Sequence, residues 1–337
     1  MMAAGATILG CAGAVLTPDE TAFFRAADPW GFILFARNVE TPDQLRRLTG
    51  DLRAGVGRAA PILIDQEGGR VARLRPPHWR DWLPPLDQVA RAGAAAPRSL
   101  WLRARLMAAE LRAVGIDANC APCADIAGPR THPFLRNRCL GETAAEVARN
   151  ARALAEGLLA GGVLPVVKHI PGHGRAEADS HLHLPTVTAT PEDLSATDFA
   201  AFAALADLPL GMTAHIRFPA FDDAPATASA RMIGLIRDVI GFQGLLMTDD
   251  ISMQALAGPV GTRAAAAIAA GCDLVLHCNG EMPEMAAVVA AAGRLSPAAE
   301  ARATAALACR HAPEPADECA LTAELTALLA GGGDGRA

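Results

Sequence analysis

The stretch Val163-Leu164-Pro165-Val166-Val167-Lys168-His169-Ile170-Pro171-Gly172-His173-Gly174 decides the fold. An apolar run of strand length stops at a lysine and a histidine, and a proline and two glycines follow. A continuous apolar run suits a strand buried on both faces, as in a parallel sheet. Proline and glycine directly after it suit a loop.

The same phrase recurs on both sides of this stretch, near residues 7–11, 31–35, 61–65, 117–122, 210–214, 244–248 and 273–276. The segments between these runs carry helix-start signals. Thr17-Pro18-Asp19-Glu20, Thr41-Pro42-Asp43 and Thr190-Pro191-Glu192-Asp193 each put threonine at the N-cap and proline at the first helical position. Acids follow in the first turn, where the helix dipole favours them. Strict alternation of strand and helix leaves an open doubly wound sheet or a closed barrel. Eight units favour the barrel. So does the polarity of the strand ends: Asp65, Asp125, Lys168 with His169, His215, Asp249 with Asp250, and Asn279 follow most of the strands, whereas an open sheet would gather them at one switch point. The expected class is therefore α/β, a TIM (β/α)8 barrel. It fills residues 1–337 as a single domain, with surface helices and a frayed glycine-rich tail from about residue 296.

Composition agrees. The 337 residues are 51% hydrophobic and 20% charged, enough for a large core. A net charge of −6 argues against nucleic-acid and anionic-membrane partners. The apolar N-terminus has no basic leader and is broken by Gly5, Gly10 and Gly13, so it reads as a first strand and the protein as cytoplasmic. Eight scattered cysteines suit that reducing compartment. Cys120 and Cys123 form a C-x-x-C, read as two reduced thiols near the barrel rim and not as a redox or metal motif.

Three clusters carry chemistry. In the first, His169, His173, His181 and His183 follow the Val163 strand. Pro171 and Gly172 exclude a helix-borne ligand pair, and no cysteine or paired carboxylate close in sequence completes a shell, so no metal is expected. An acid/base histidine is the alternative, and Asp179, two residues before His181, can orient its ring. In the second, Asp249 and Asp250 follow the strand at 244–248. Successive side chains on a strand point to opposite faces, so one acid faces the barrel mouth while the other caps the next helix or pairs nearby. In the third, Asp65-Gln66-Glu67-Gly68-Gly69-Arg70 places a carboxylate where it can bind vicinal hydroxyls or pair with Arg70. Arg73, Arg138, Lys168 and His169 add donors, which would serve a phosphate as well as a sugar.

At these clusters the chain resembles the family 3 glycoside hydrolases, specifically the single-domain bacterial β-N-acetylhexosaminidases of peptidoglycan recycling. GFILFARNVETPDQL, ILIDQEGGRVARL, KHIPGHG with ADSH, and GFQGLLMTDDISM fall in the family's order, from about Gly31 to Asn279. The resemblance implies Asp249 as nucleophile, His181 as acid/base and Asp179 as its partner. Asp65, Arg73, Arg138, Lys168 and His169 match substrate-binding positions. It implies an exo-acting retaining enzyme that needs no cofactor, takes muropeptide-derived carbohydrate and works as a monomer. Departures are Ile170, where phenylalanine is common, and Pro122-Cys123-Ala124-Asp125, where a more aliphatic run is usual. A phosphorylase on the same fold, a non-catalytic sugar-binding barrel and a zinc hydrolase are the competing readings.

Overall fold

A computed structural model describes residues 3–177 and 183–331. Eight parallel strands close into a barrel: β1 (Gly5–Gly10), β2 (Pro29–Leu34), β3 (Ile62–Ile64), β4 (Ala118–Asn119), β5 (Leu164–Ile170), β6 (Leu210–Thr213), β9 (Leu245–Asp250) and β10 (Leu274–His277). The hairpin β7 (Arg217–Phe218) and β8 (Asp222–Pro225) is inserted after β6 and lies outside the barrel. Each strand pairs in parallel with its neighbour, and β10 closes on β1 with Leu276 opposite Ile8. The strands are buried on both faces, as their continuous apolar sequences require.

The caps form as expected. Thr17 Oγ1 accepts from the Glu20 backbone N–H at 3.1 Å, while a Glu20 carboxylate oxygen accepts from the Thr17 backbone N–H at 3.0 Å. This reciprocal box opens the helix Pro18–Ala27. Thr41 and Thr190 cap the helices Pro42–Val56 and Pro191–Ala196 in the same way through one side-chain acceptor. The C-terminal region forms two helices, Pro297–Ala308 and Glu318–Gly331. The second packs on the helix Ala96–Ala113 and is tied to it by a two-pronged Arg98–Glu324 pair with both contacts at 2.7 Å.

Two local expectations need correction. β5 runs on to Ile170, two residues past the apolar run that ends at Lys168. β4 is shorter than the run at 117–122; beyond Asn119 the chain bends, and the Ala121 and Pro122 carbonyls accept from the backbone N–H groups of Val166 and Lys168.

Candidate active site

Strand order puts the polar strand ends on one rim, and Asp65, Lys168, His169, Asp249 and Asp250 among them line a pocket of about 300 Å³. That is the small end of the range for ligand pockets, room for about one sugar ring. Asp65 arrives from β3, Arg138 from the loop after β4, Lys168 and His169 from β5, and Asp249 from β9. Asp179 and His181 lie outside the described residues.

The floor is a buried chain of alternating charge. Lys168 Nζ donates to Asp65 Oδ1 at 2.8 Å and lies 2.6 Å from Glu67 Oε1. Arg138 grips Glu67 with two parallel hydrogen bonds of 2.9 Å. Arg73 donates to Asp65 Oδ2 at 3.0 Å, so Asp65 pairs with Arg73 and Lys168, and Arg70 is not its partner. Burial alone would raise both carboxyls. The facing cations outweigh it, holding Asp65 well below the ordinary carboxylate range and Glu67 down to about 2. Burial would likewise discharge Lys168, but Asp65 and Glu67 push its ammonium well above the usual lysine range. These groups stay ionised at any physiological pH, and their geometry is set before a ligand arrives.

Gly68 makes the Glu67 placement possible. Its φ is +105°, and a Cβ there would come within 1.8 Å of Arg103 Nη2. Arg103 is itself buried. It donates to Gln88 Oε1 at 2.7 Å and to the carbonyls of Leu83 and Glu67, and burial lowers its guanidinium to about 9.

Asp125 organises the β5 side. Its Oδ2 takes the His169 ring N–H at 2.7 Å, and its Oδ1 takes the His173 backbone N–H at 2.6 Å. His169 Nε2 lies 3.4 Å from Arg138 Nη2. A guanidinium only donates, and the short contact to Asp125 puts a ring proton on Nδ1. Burial opposes the charge on Asp125, but His169 and His173 hold it down to about 2. Burial, reinforced by His169, lowers His173 to about 4 and keeps it neutral.

Asp249 is half-buried at the tip of β9. Burial would raise its carboxyl. His169, His215 and the backbone N–H of Asp250, which donates to Asp249 Oδ1 at 2.8 Å, hold it below the usual range. His215 is fixed by Thr227 Oγ1 at 2.8 Å and the Asp250 carbonyl at 3.0 Å. Asp250 also lines the pocket, but its carboxylate is engaged in local hydrogen bonds. Its carboxylate accepts from Ser252 Oγ at 2.8 Å, Ser252 N at 3.1 Å and Cys278 N at 3.2 Å. It therefore braces a turn; the next helix starts only at Val260, so neither Asp250 nor Ser252 caps it.

The metal argument from sequence spacing also needs correction. Cys123, Asp125 and His169 place ligand atoms within 4.8 Å of one another, so a cysteine and a carboxylate do sit beside the histidine cluster. Here they form a hydrogen-bonded group: Cys123 Sγ lies 3.3 Å from Asp125 Oδ2, and burial, then Cys139 and Asp125, push the Cys123 thiol well above its ordinary range. Cys120 and Cys123 are free and buried. Sequence reasoning gave Glu67 and Asp125 no role. Both were visible as acids near strand ends, but their partners lie 71 and 44 residues away, beyond any local signal.

A closed parallel barrel whose strand ends gather ionised carboxylates and cations around one pocket has the form of an α/β-barrel enzyme. Residues 28–308 match the glycosyl hydrolase family 3 N-terminal domain. A β-hexosaminidase of Bordetella avium is 38% identical over 284 residues, covering 82% of this chain and 81% of that protein. One of Pseudomonas aeruginosa is 36% identical over 282 residues, with 82% of each covered. NagZ from Neisseria gonorrhoeae, solved in complex with N-trifluoroacetyl-D-glucosamine, superposes with a TM-score of 0.84 at 30% identity, covering 98% of this chain and 97% of that one. The chain belongs to glycoside hydrolase family 3, in its β-N-acetylhexosaminidase branch.

Proposed function

We propose that the protein, acting as one domain over residues 1–337, is an exo-acting, retaining β-N-acetylglucosaminidase. Asp249 is the nucleophile, His181 the acid/base and Asp179 the partner that orients His181. Asp65, Arg73, Arg138, Lys168 and His169 hold the sugar hydroxyls. The observation that carries this reading is Asp249, kept ionised at a strand tip and facing a pocket sized for about one ring.

In the first step an Asp249 oxygen attacks the anomeric carbon while His181 protonates the departing glycosidic oxygen. In the second, His181 takes a proton from water, which displaces Asp249 and releases the sugar with its original configuration. The preset cations cost no reorganisation when the ring binds, which favours electrostatic stabilisation over induced fit. The substrate class is peptidoglycan fragments, N-acetylglucosamine on anhydro-N-acetylmuramic acid with or without peptide, in cytoplasmic cell-wall recycling. Eight free thiols accord with a reducing compartment.

The test is hydrolysis of a chromogenic β-N-acetylglucosaminide beside the matching β-glucoside, with and without phosphate. Preference for the N-acetyl sugar, no need for phosphate and a first product that is the β-anomer by proton NMR are expected. Sugar-1-phosphate would make the enzyme a phosphorylase. Binding without turnover would make it a retired barrel.

A further inference from the structure

His215 is a fully buried titratable side chain that the mechanism above does not use, and it does not line the pocket. It stands just past the end of β6, where the pairing of β6 with β9 has already stopped. The last pair in register is Met212 opposite Met247. Among the described residues no later pair joins β6 to the tip of β9, which carries Asp249 and Asp250. On the other side the ladder runs on: Leu276 of β10 lies opposite Asp250, and the Ile251 N–H donates to the Leu276 carbonyl at 2.9 Å.

The His215 ring spans the open side. Its Nε2 lies 3.0 Å from the Asp250 carbonyl oxygen and its Nδ1 lies 2.8 Å from Thr227 Oγ1. A carbonyl only accepts, so Nε2 carries a proton. Burial lowers the ring's pKa and keeps it neutral, which leaves Nδ1 to accept from the Thr227 hydroxyl. The Ala214 carbonyl, at 3.1 Å, is the more distant acceptor for that hydroxyl, and Thr213 Oγ1 lies 2.8 Å from it on its other side. Thr227 belongs to the short helical turn Ala226–Ala228 that follows the hairpin β7–β8. The insertion outside the barrel therefore supplies the anchor of the ring.

Asp250 passes the constraint to its neighbour. The residue whose carbonyl His215 holds also donates its N–H to Asp249 Oδ1 at 2.8 Å. With Oδ1 engaged, Oδ2 is the Asp249 oxygen that has no hydrogen bond among the described residues. A carboxylate held by one oxygen presents the other in a single direction, the condition for attack on a bound ring.

We propose that His215 is a positioning residue for the nucleophile: it holds the Asp250 carbonyl and, through Asp250, fixes the Asp249 carboxylate so that Oδ2 attacks the anomeric carbon. This rests on the hydrolase reading above.

The test compares the wild type with His215→Leu, His215→Gln and Thr227→Val on the 4-nitrophenyl β-N-acetylglucosaminide, with the Ki of free N-acetylglucosamine read beside it. This leaving group needs little protonation, so kcat/KM reports attack by Asp249, while Ki reports the shape of the pocket. His215→Leu should lower kcat/KM by about 10- to 100-fold, the scale of a misdirected reacting group. Its Ki should stay within about twofold of wild type, because the lost interaction acts on the transition state. Glutamine carries an amide N–H at about the reach of Nε2, so His215→Gln should recover most of the loss. Thr227→Val, which removes the anchor of the ring, should fall between the two. Wild-type kcat/KM in His215→Leu, a loss matched by an equal rise in Ki, or a glutamine variant no better than leucine each overturns the proposal and leaves the hydrolase reading in place. Should His215→Leu not fold, Thr227→Val decides: lower kcat/KM at unchanged Ki supports the proposal, and unchanged kcat/KM overturns it. A wild-type protein that does not cleave the substrate brings down the hydrolase reading and the positioning role with it.

Discussion

At the scale of single residues the site rests on charge held against burial. Asp249→Ala should remove nearly all turnover of a chromogenic β-N-acetylglucosaminide, whereas His181→Ala should cost roughly 10²–10⁴-fold, the usual worth of one acid/base. Near-wild-type rates in either variant would remove the two-step mechanism. Glu67 makes a different prediction, because it binds Arg138 and Lys168 and does not line the pocket. Glu67→Gln leaves two buried cations short of a partner and should lower stability by about 3 kcal/mol, while raising KM more than it lowers kcat. The sign of the pH effect follows from the depressed carboxyls. Glu67 and Asp125 lie at about 2, below their unfolded values near ~4, so their stabilisation is complete above pH ~4 and is lost as pH falls towards 2. Acid unfolding followed by circular dichroism should show that loss shifted or weakened in Glu67→Gln. An identical acid limb in the two proteins would mean that Glu67 does not carry it.

At the scale of elements, sequence and structure agree where the forces are local. Thr17, Pro18 and Glu20 are contiguous and build their own cap, so the start of the helix Pro18–Ala27 was legible from the residues. Thr17→Ala should cost about 1 kcal/mol in thermal or urea unfolding, with activity retained. No measurable change would mean that the box adds nothing beyond the packing of Phe24. The end of β5 was less legible. The apolar run ends at Lys168, yet the strand continues through His169 to Ile170, where Asp65, Glu67 and Asp125 on neighbouring strands and loops receive the two polar side chains. Burial that looks prohibitive for one residue becomes possible when the partner arrives across the barrel.

For the whole molecule, barrel closure is what converts scattered strand ends into one pocket. The C-terminal helix Glu318–Gly331 stands outside that arrangement, on the outer helical layer, with Leu325 as its buried anchor. Deleting residues 318–337 should therefore lower Tm by roughly 5 °C, the scale of one or two kcal/mol in a chain this long, and leave KM for the N-acetylglucosaminide in place. A large rise in KM would show that the outer layer shapes the pocket.

The sequence alone determined the eight-fold strand–helix alternation, the helix starts and the short catalogue of reactive strand ends, because hydrophobic periodicity and capping are encoded within a few residues. It also carried the family motifs in order. Tertiary structure alone decided how those ends are wired. It shows that Glu67 clamps Arg138 and Lys168, that Asp125 accepts from His169 Nδ1, that Asp250 braces a turn through Ser252, and that Arg70 bonds the Phe134 carbonyl and not Asp65. Each of those facts is a pairing between residues on different barrel strands and loops or within one turn. Coulomb and hydrogen-bond energies depend on distances that exist only once the barrel has closed.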